Sequence, residues 1–300
     1  MNLLAGSKAL IQSRVKLSSY CTMKVGGEAD YLAEPRTEEE LCEALEFAKK
    51  KELSFFVLGR GSNVVFDDEG YRGLVISMLR FGEGEIQWDP EIRELTAPSG
   101  VTLHRLSLFC RDQGIGGTEF LSGIPGTVGG AVIMNAGFSR HPGQKNEIGD
   151  LIQAVTVLNP QGERLTLKRE EIAFGYRRAD LGPCIVLKAV LRLWKRKKDE
   201  IDREIKANFD YRNKKQDLSR PSAGSIFKNP PGGRSAGRII EAAGLKGLRV
   251  GDAMVSEKHA NYIVNVGHAT CADIKTLITT IQDKVFYAEK ILLETEVKFT

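Results

Sequence analysis

Ser122-Gly123-Ile124-Pro125-Gly126-Thr127-Val128-Gly129-Gly130-Ala131 runs on through Val132-Ile133-Met134 to Asn135-Ala136-Gly137, and four of its glycines fall within eight residues. Such a run describes a backbone that comes very close to something flat and polar. Glycine permits left-handed torsions and carries no side chain to obstruct an approach, so successive N–H groups can converge on phosphate or ring oxygens. A second loop of this character, Gly59-Arg60-Gly61-Ser62-Asn63, follows the strand-like Phe55-Phe56-Val57-Leu58 and precedes Val64-Val65-Phe66.

Neither loop is a Walker P-loop, because no Gly-Lys-Ser/Thr follows. Neither is a dinucleotide fingerprint, since the glycine spacing fails and strand-like residues, not a helix, are expected next. Either loop alone reads equally well as a tight turn. Together, about sixty residues apart and with Ser and Asn donors, they favour a phosphate-bearing cofactor.

The 300 residues, 42% of them hydrophobic and with no apolar run of membrane-spanning length, predict a soluble globular protein of two or three domains. Net charge is +4 and well mixed, which suits anionic small ligands such as nucleotides. The one basic block, Lys195-Arg196-Lys197-Lys198, runs into Asp199-Glu200 and reads as a solvated helix start or linker; without aromatic interleaving it gives no nucleic-acid site. Cys21, Cys42, Cys110, Cys184 and Cys271 are odd in number and scattered, which argues for reduced thiols, a cytoplasmic protein and no structural metal site. Met1-Asn2-Leu3-Leu4-Ala5-Gly6-Ser7-Lys8 lacks a signal-peptide core, so the chain is read as mature and cytosolic.

Three stretches organise the chain: 1–78, 79–193 and 194–300. In the first, Thr37 with Glu40 forms a capping-box pattern ahead of Leu41, Ala44, Leu45 and Ala48. The second holds strand candidates at Glu94–Ala97, Leu151–Leu158 and Cys184–Leu191, a hairpin turning at Asn159-Pro160-Gln161-Gly162 towards Arg164–Leu167, and a helix from Thr102 to Gln113 stopped by Gly114. After the charged boundary around 194–207 come a short helix from Ser235 to Ala243, a strand over Ala260–Asn265 and a long helix. That helix opens at a Thr270/Asp273 capping box and turns Ile274, Leu277, Ile278, Ile281 and Val285 to the core.

Three segments carry candidate chemistry. Gly224-Ser225-Ile226-Phe227-Lys228-Asn229-Pro230 groups a hydroxyl, a cation and an amide in one turn-rich segment; taken alone it reads first as a loop with a Ser in it, and the absence of a Gly-x-Ser-x-Gly elbow removes a hydrolase nucleophile. Arg177, in Gly175-Tyr176-Arg177, has a planar fork that suits a carboxylate. Glu296 sits in a strand-like C-terminal segment where a solvated edge carboxylate is the plain reading. His104 reads as structural, His141 lies in a polar loop, and His259 has no acidic orienting partner visible in sequence.

Taken in order, these motifs with Thr22-Met23-Lys24-Val25-Gly26-Gly27 and Glu294-Thr295-Glu296-Val297 resemble the UDP-N-acetylenolpyruvoylglucosamine reductase family over nearly the whole chain. The resemblance implies an α+β fold, with a two-part FAD-binding domain of the vanillyl-alcohol-oxidase-like type (1–78 and 79–193) followed by a C-terminal α+β substrate-binding domain (194–300). It implies FAD held by Gly59, Arg60, Gly61, Ser62 and Asn63 and by Ser122, Gly123, Ile124, Pro125, Gly126, Thr127, Gly129, Gly130 and Asn135. NADPH is the implied reductant and a UDP-sugar the implied substrate, contacted by Tyr176, Lys228 and Asn229. Ser225 matches the proton donor, with Arg177 and Glu296 as the other catalytic residues. A monomer with no metal, nucleic acid or membrane partner is expected. The short segment between Arg177 and Ser225 is similar to the family's shorter form, and Phe138-Ser139-Arg140-His141-Pro142-Gly143 departs from the usual continuation after Asn-Ala-Gly. Two alternatives stay open: another flavoprotein on this fold that uses oxygen as acceptor, and a non-catalytic nucleotide-binding protein, which would be expected to lose Ser225, Arg177 or Glu296.

Overall fold

The computed structural model describes residues 11–82, 85–141 and 146–300. Met1–Lys8, and Pro142 and Gly143 of the polar loop, lie outside the described residues. Helices among the described residues are α1 (Glu38–Lys50), α2 (Leu103–Asp112), α3 (Val128–Ile133), α4 (Lys198–Lys215), α5 (Ala236–Ala242) and α6 (Cys271–Glu289). The chain forms two compact units. One comprises Ile11 and Gln12 with Tyr31–Arg60 and the described part of Gly73–Tyr211; the other comprises Ser13–Asp30, Gly61–Arg72 and Arg212–Thr300.

In the first unit, α1 begins where expected, because Thr37 accepts the Glu40 N–H at 3.3 Å. The Glu40 carboxylate reaches one residue further back than a capping box requires and accepts the Arg36 N–H at 2.7 Å. Leu41, Ala44 and Ala48 then bury one face against Leu74 and Ile76 of the strand Tyr71–Ser77, which pairs in parallel with Phe55–Leu58. Leu158, Ile185 and Leu187 join the same core. Burial of each leucine or isoleucine here contributes about 1.5–3 kcal/mol.

A five-stranded antiparallel sheet follows, in the order Arg164–Lys168, Ile152–Leu158, Ile185–Arg192, Glu94–Pro98, Gln87–Asp89. Its hairpin turns where Asn159 and Gly162 predict: Asn159 Oδ1 accepts the N–H groups of Gln161 and Glu163 at 3.0 and 2.8 Å. Leu95, Ala97, Val155, Val157, Ala189 and Leu191 form the core with Leu103 and Leu106 of α2. Thr102 caps α2 through the Arg105 N–H at 3.3 Å, and Gly114, at φ +65°, follows it.

In the second unit, Ser222–Ser225, Tyr262–Asn265, Ala253–Val255 and Arg249–Val250 form an antiparallel sheet. The Thr270/Asp273 capping box opens α6 in both directions, and Ile274, Leu277, Ile278, Ile281 and Val285 are buried as their spacing predicts. Asp68 adds a second cap by accepting the Cys271 and Ala272 N–H groups at 2.8 and 3.0 Å. Carboxylate charge at that end also opposes the helix dipole favourably. All five cysteines are free thiols. No helix among the described residues is long and apolar enough to cross a membrane.

His259 in this unit accepts the Asn261 N–H on Nδ1 at 3.3 Å and packs its ring 4.8 Å from that of Tyr262. Burial pushes its pKa below the ordinary 6.5. Between the lowered value and 6.5 the unfolded chain binds the proton and the folded chain does not. The contribution is therefore complete above about 6.5 and is lost as pH falls below it. Thermal midpoints measured at about pH 7.5 and 5.5 are expected to fall more in wild type than in His259→Gln; equal falls would show that His259 is not the group responsible.

Candidate functional site

The glycine stretch is built on turns. Ser122 and Ile124 donate to the carbonyls of Glu119 and Leu121 at 3.3 and 3.0 Å, and Gly126 donates to Ile124 at 2.9 Å. Gly123 and Ile124 are half-buried, and Pro125 is exposed. Thr127 then caps α3, its Oγ1 accepting the Gly130 N–H at 3.4 Å. This corrects the expectation of strand-like residues after the stretch. Val128, Ala131 and Val132 lie on one helical face and are buried, a spacing that a strand, with its period of two, would split between opposite faces.

Gly129 seats that helix. Its N–H donates to Ser99 O at 2.9 Å, and a Cβ added there would lie 2.8 Å from Ser99 Cβ. With Val128 N also bonded to Val101 O at 2.8 Å, several N–H groups of the stretch are committed within the chain. Gly126 and Gly130 differ. Neither has a positive φ, and an added Cβ would meet nothing closer than 3.5 Å and 3.6 Å. Nothing in the chain's own packing demands glycine at these two positions, so they leave bare backbone open to a ligand.

The other glycine loop meets this one at Gly59, where an added Cβ would lie 2.7 Å from Thr127 Oγ1. Arg60 is exposed. In the second unit Gly61 holds φ +65°, and an added Cβ would lie 2.2 Å from Tyr20 O; Thr22 N donates to Gly61 O at 3.1 Å. Ser62 and Asn63 are half-buried.

Sequence reasoning missed Glu119, whose side chain is 5% exposed. Its carboxylate accepts from Arg196 Nη1 and Gly117 N, each at 2.7 Å, and its carbonyl accepts from Ser122 Oγ at 2.8 Å and Asn208 Nδ2 at 2.9 Å. The basic block is thus not simply solvated, for Arg196 is drawn from it onto Glu119 and Glu204. No periodicity marks a glutamate in a turn as buried; the signal is tertiary.

Arg177 lies at the tip of a hairpin, Ala173–Gly175 with Arg178–Asp180, in which Gly175 pairs with Arg178 across the two-residue turn Tyr176-Arg177. Its φ is +57°, a left-handed torsion for which Gly or Asn is the ordinary occupant and which costs another L-residue about 1–2 kcal/mol. Its guanidinium is 5.4 Å from the ring centre of Tyr176, and Tyr176 is itself 48% exposed. Asn135, also left-handed at φ +40° and buried, donates to Gly175 O at 3.1 Å and Glu147 Oε2 at 2.9 Å and accepts from Gly149 N at 3.0 Å.

Within the second unit, Ser225 ends the strand Ser222–Ser225. Ser222 faces Val264 and Ser225 faces Tyr262, so one extra residue bulges between them, and Gly224, at φ +75°, absorbs it. Bulges of this kind re-aim the following side chain. Asn261, whose role sequence reasoning missed, clamps the next residues: its carbonyl accepts Ile226 N at 2.9 Å and its amide exchanges bonds of 3.0 and 2.8 Å with Phe227. On the other side Glu296 N donates to Ile226 O at 2.7 Å and Lys228 N to Glu294 O at 2.8 Å. Ser225 and Glu296 therefore sit on adjacent backbone segments. Asn63 holds the Glu296 segment through Nδ2 to Glu296 O at 3.2 Å and accepts Lys298 N at 3.0 Å. Lys228 pairs with Glu294, and Asn229 Oδ1 accepts the first N–H of α5, from Ala236, at 3.0 Å. No cluster of three or more His, Cys, Asp or Glu among the described residues could hold a metal ion.

A protein of Moorella thermoacetica named UDP-N-acetylenolpyruvoylglucosamine reductase is 42% identical over 297 residues, 99% of this chain and 95% of that protein. The chain belongs to the UDP-N-acetylenolpyruvoylglucosamine reductase family. Residues 216–300 match the C-terminal domain of that family, and residues 29–168 match an FAD binding domain. A relative of the same name from Bacillus licheniformis is 39% identical over 285 residues, 94% of this chain and 91% of its own. The crystal structure of UDP-N-acetylenolpyruvylglucosamine reductase from Thermus caldophilus matches with a TM-score of 0.80 at 37% identity, over 97% of this chain and 99% of that one. The fold is mixed α+β, an FAD-binding domain followed by the family's C-terminal domain, and the chain is a flavin-dependent oxidoreductase.

The bare backbone at Gly126 and Gly130 fits such a group, since a flat cofactor is what glycines unexplained by internal packing would admit. Gly130→Ala is expected to keep the apoprotein as stable as wild type or about 1 kcal/mol more stable, because alanine is the better helix residue, while weakening FAD binding at least tenfold. Unchanged affinity in a fluorescence titration of the apoprotein would remove Gly130 from the cofactor surface.

Proposed function

We propose that this protein reduces UDP-N-acetylglucosamine enolpyruvate to UDP-N-acetylmuramate, a peptidoglycan precursor, with FAD as cofactor and NADPH as reductant. It acts as a monomer in the cytoplasm, a reading that its five free thiols favour. The FAD-binding parts are 1–78 and 79–193, and the substrate domain is 194–300. The observation that carries the reading is the backbone pairing in the second unit, in which Glu296 N donates to Ile226 O beside Ser225.

When bound, FAD would supply the two-electron chemistry that links NADPH oxidation to reduction of the enol ether at its methylene carbon. Gly59, Arg60, Gly61, Ser62 and Asn63 and the stretch from Ser122 to Gly130 hold it. Arg177 presents a planar fork to the substrate carboxylate and counters the charge that spreads into it as the neighbouring carbon gains electrons. Glu296 stabilises the same developing enolate by donating a hydrogen bond to it, a role that requires its carboxyl to carry a proton. Ser225 gives its proton to that carbon, a step a weakly acidic hydroxyl can perform because the enolate is strongly basic. Tyr176, Lys228 and Asn229 contact the UDP-sugar.

The test is an anaerobic flavin titration. NADPH should bleach the flavin band, and the enolpyruvyl substrate should then restore it in stoichiometric amount. Bleaching that only oxygen reverses would point to an oxidase and sink the proposal.

Ser225→Ala is expected to bleach normally and to recover at least a hundredfold more slowly. Wild-type recovery in that variant would take Ser225 out of the mechanism. Arg177→Gly is expected to unfold within about 1 kcal/mol of wild type, the relieved torsion offsetting the added chain entropy, yet to lose recovery with the substrate. Full recovery would mean the strained arginine serves no catalytic purpose.

A further inference from the structure

Asn135 is expected from the family resemblance to contact the cofactor, yet its side-chain hydrogen bonds run to the Arg177 hairpin and its support. Its amide donates to Gly175 O, the residue just before Tyr176-Arg177, and to Glu147, while its Oδ1 accepts Gly149 N. Gly149 in turn leaves room for this arrangement, since an added Cβ would lie 2.7 Å from Asn135 Oδ1 and 2.9 Å from Phe174 Cγ. Arg169 closes the frame by donating to Gly149 O at 2.9 Å and lying 4.7 Å over the Phe174 ring. Asn135 holds φ +40°, a torsion asparagine tolerates, and is 2% exposed, so a buried amide is devoted to one hairpin.

We propose that Asn135, oriented by Glu147, is a positioning residue that sets Arg177 through the Gly175 carbonyl. The proposal rests on the reading of Arg177 as catalytic. Asparagine suits the place because one amide must donate twice and accept once. An aspartate of the same shape can still accept from Gly149 but has no hydrogen for Gly175 O, and it sets a second carboxylate against Glu147.

The test uses the holoenzyme with two variants, Asn135→Asp and Asn135→Asp/Glu147→Gln. In the double variant the new amide at 147 can donate to the new carboxylate, so the 135–147 bond returns with its polarity reversed while Gly175 O stays without its donor. It thus keeps the test open if the single variant does not fold. FAD affinity and the rate of flavin reduction by NADPH are expected within about threefold of wild type, whereas reoxidation of the reduced flavin by the enolpyruvyl substrate falls about a hundredfold, the cost of misplacing a catalytic group by about an ångström. Reoxidation within threefold of wild type would overturn the proposal. So would a loss of FAD affinity with normal reoxidation per bound flavin, which marks a cofactor contact. An Arg177→Ala control reoxidised at the wild-type rate would instead refute the catalytic reading of Arg177.

Discussion

The seating of Gly129 on Ser99 is the contact from which the glycine-rich half of the site follows. A backbone N–H to carbonyl bond of 2.9 Å, with room for no Cβ, draws α3 against the end of the strand Glu94–Pro98. Once α3 is there, Thr127 at its start lies against Gly59, Gly130 shows its bare side, and Asn135 just beyond its end reaches the hairpin that bears Arg177. A methyl group at Gly129 would have to move backbone, not a flexible side chain, and close-packed interiors resist that.

The second unit solves a different problem. Ser225 must be held without a glycine-lined cradle, and this is done by pairing main chain on both sides, Asn261 on one and Glu294–Glu296 on the other. Backbone hydrogen bonds define a strand's position more firmly than an exposed side chain could, because every buried N–H and C=O must be satisfied. Within this unit the bulge at Gly224 lies directly before Ser225, where the paired main chain on both sides can support it.

Much of the regular structure was legible residue by residue. Thr37 and Thr270 announce their helices, since a side-chain oxygen three residues ahead of an N–H is a local arrangement, and the helices read from Thr102 and Ser235 start with those residues as their caps. The Asn159–Gly162 hairpin is equally local. The reading failed at Val128–Ile133, where glycines and β-branched residues suggested strand. Local preference there yields to a threonine cap and to burial of Val128, Ala131 and Val132 on one face. Glu119 and Asn261 were illegible for another reason: a buried carboxylate and a clamping amide have the same letters as their solvated counterparts.

Sequence alone therefore determined the starts of α1, α2, α5 and α6, the Asn159–Gly162 turn, the two glycine loops and, through motifs in order, the family; each depends on interactions within a few residues or on the identity of the letters. Tertiary structure decided which glycines pack and which stay bare, that Glu119 captures Arg196, that Asn135 bonds to the Arg177 hairpin and that the Glu294–Glu296 segment lies beside Ser225. These partners are 40 or more residues apart in sequence, or, as for each glycine, are set by what the fold brings within 4 Å. Burial and contact belong to the folded chain and are not properties of the letters.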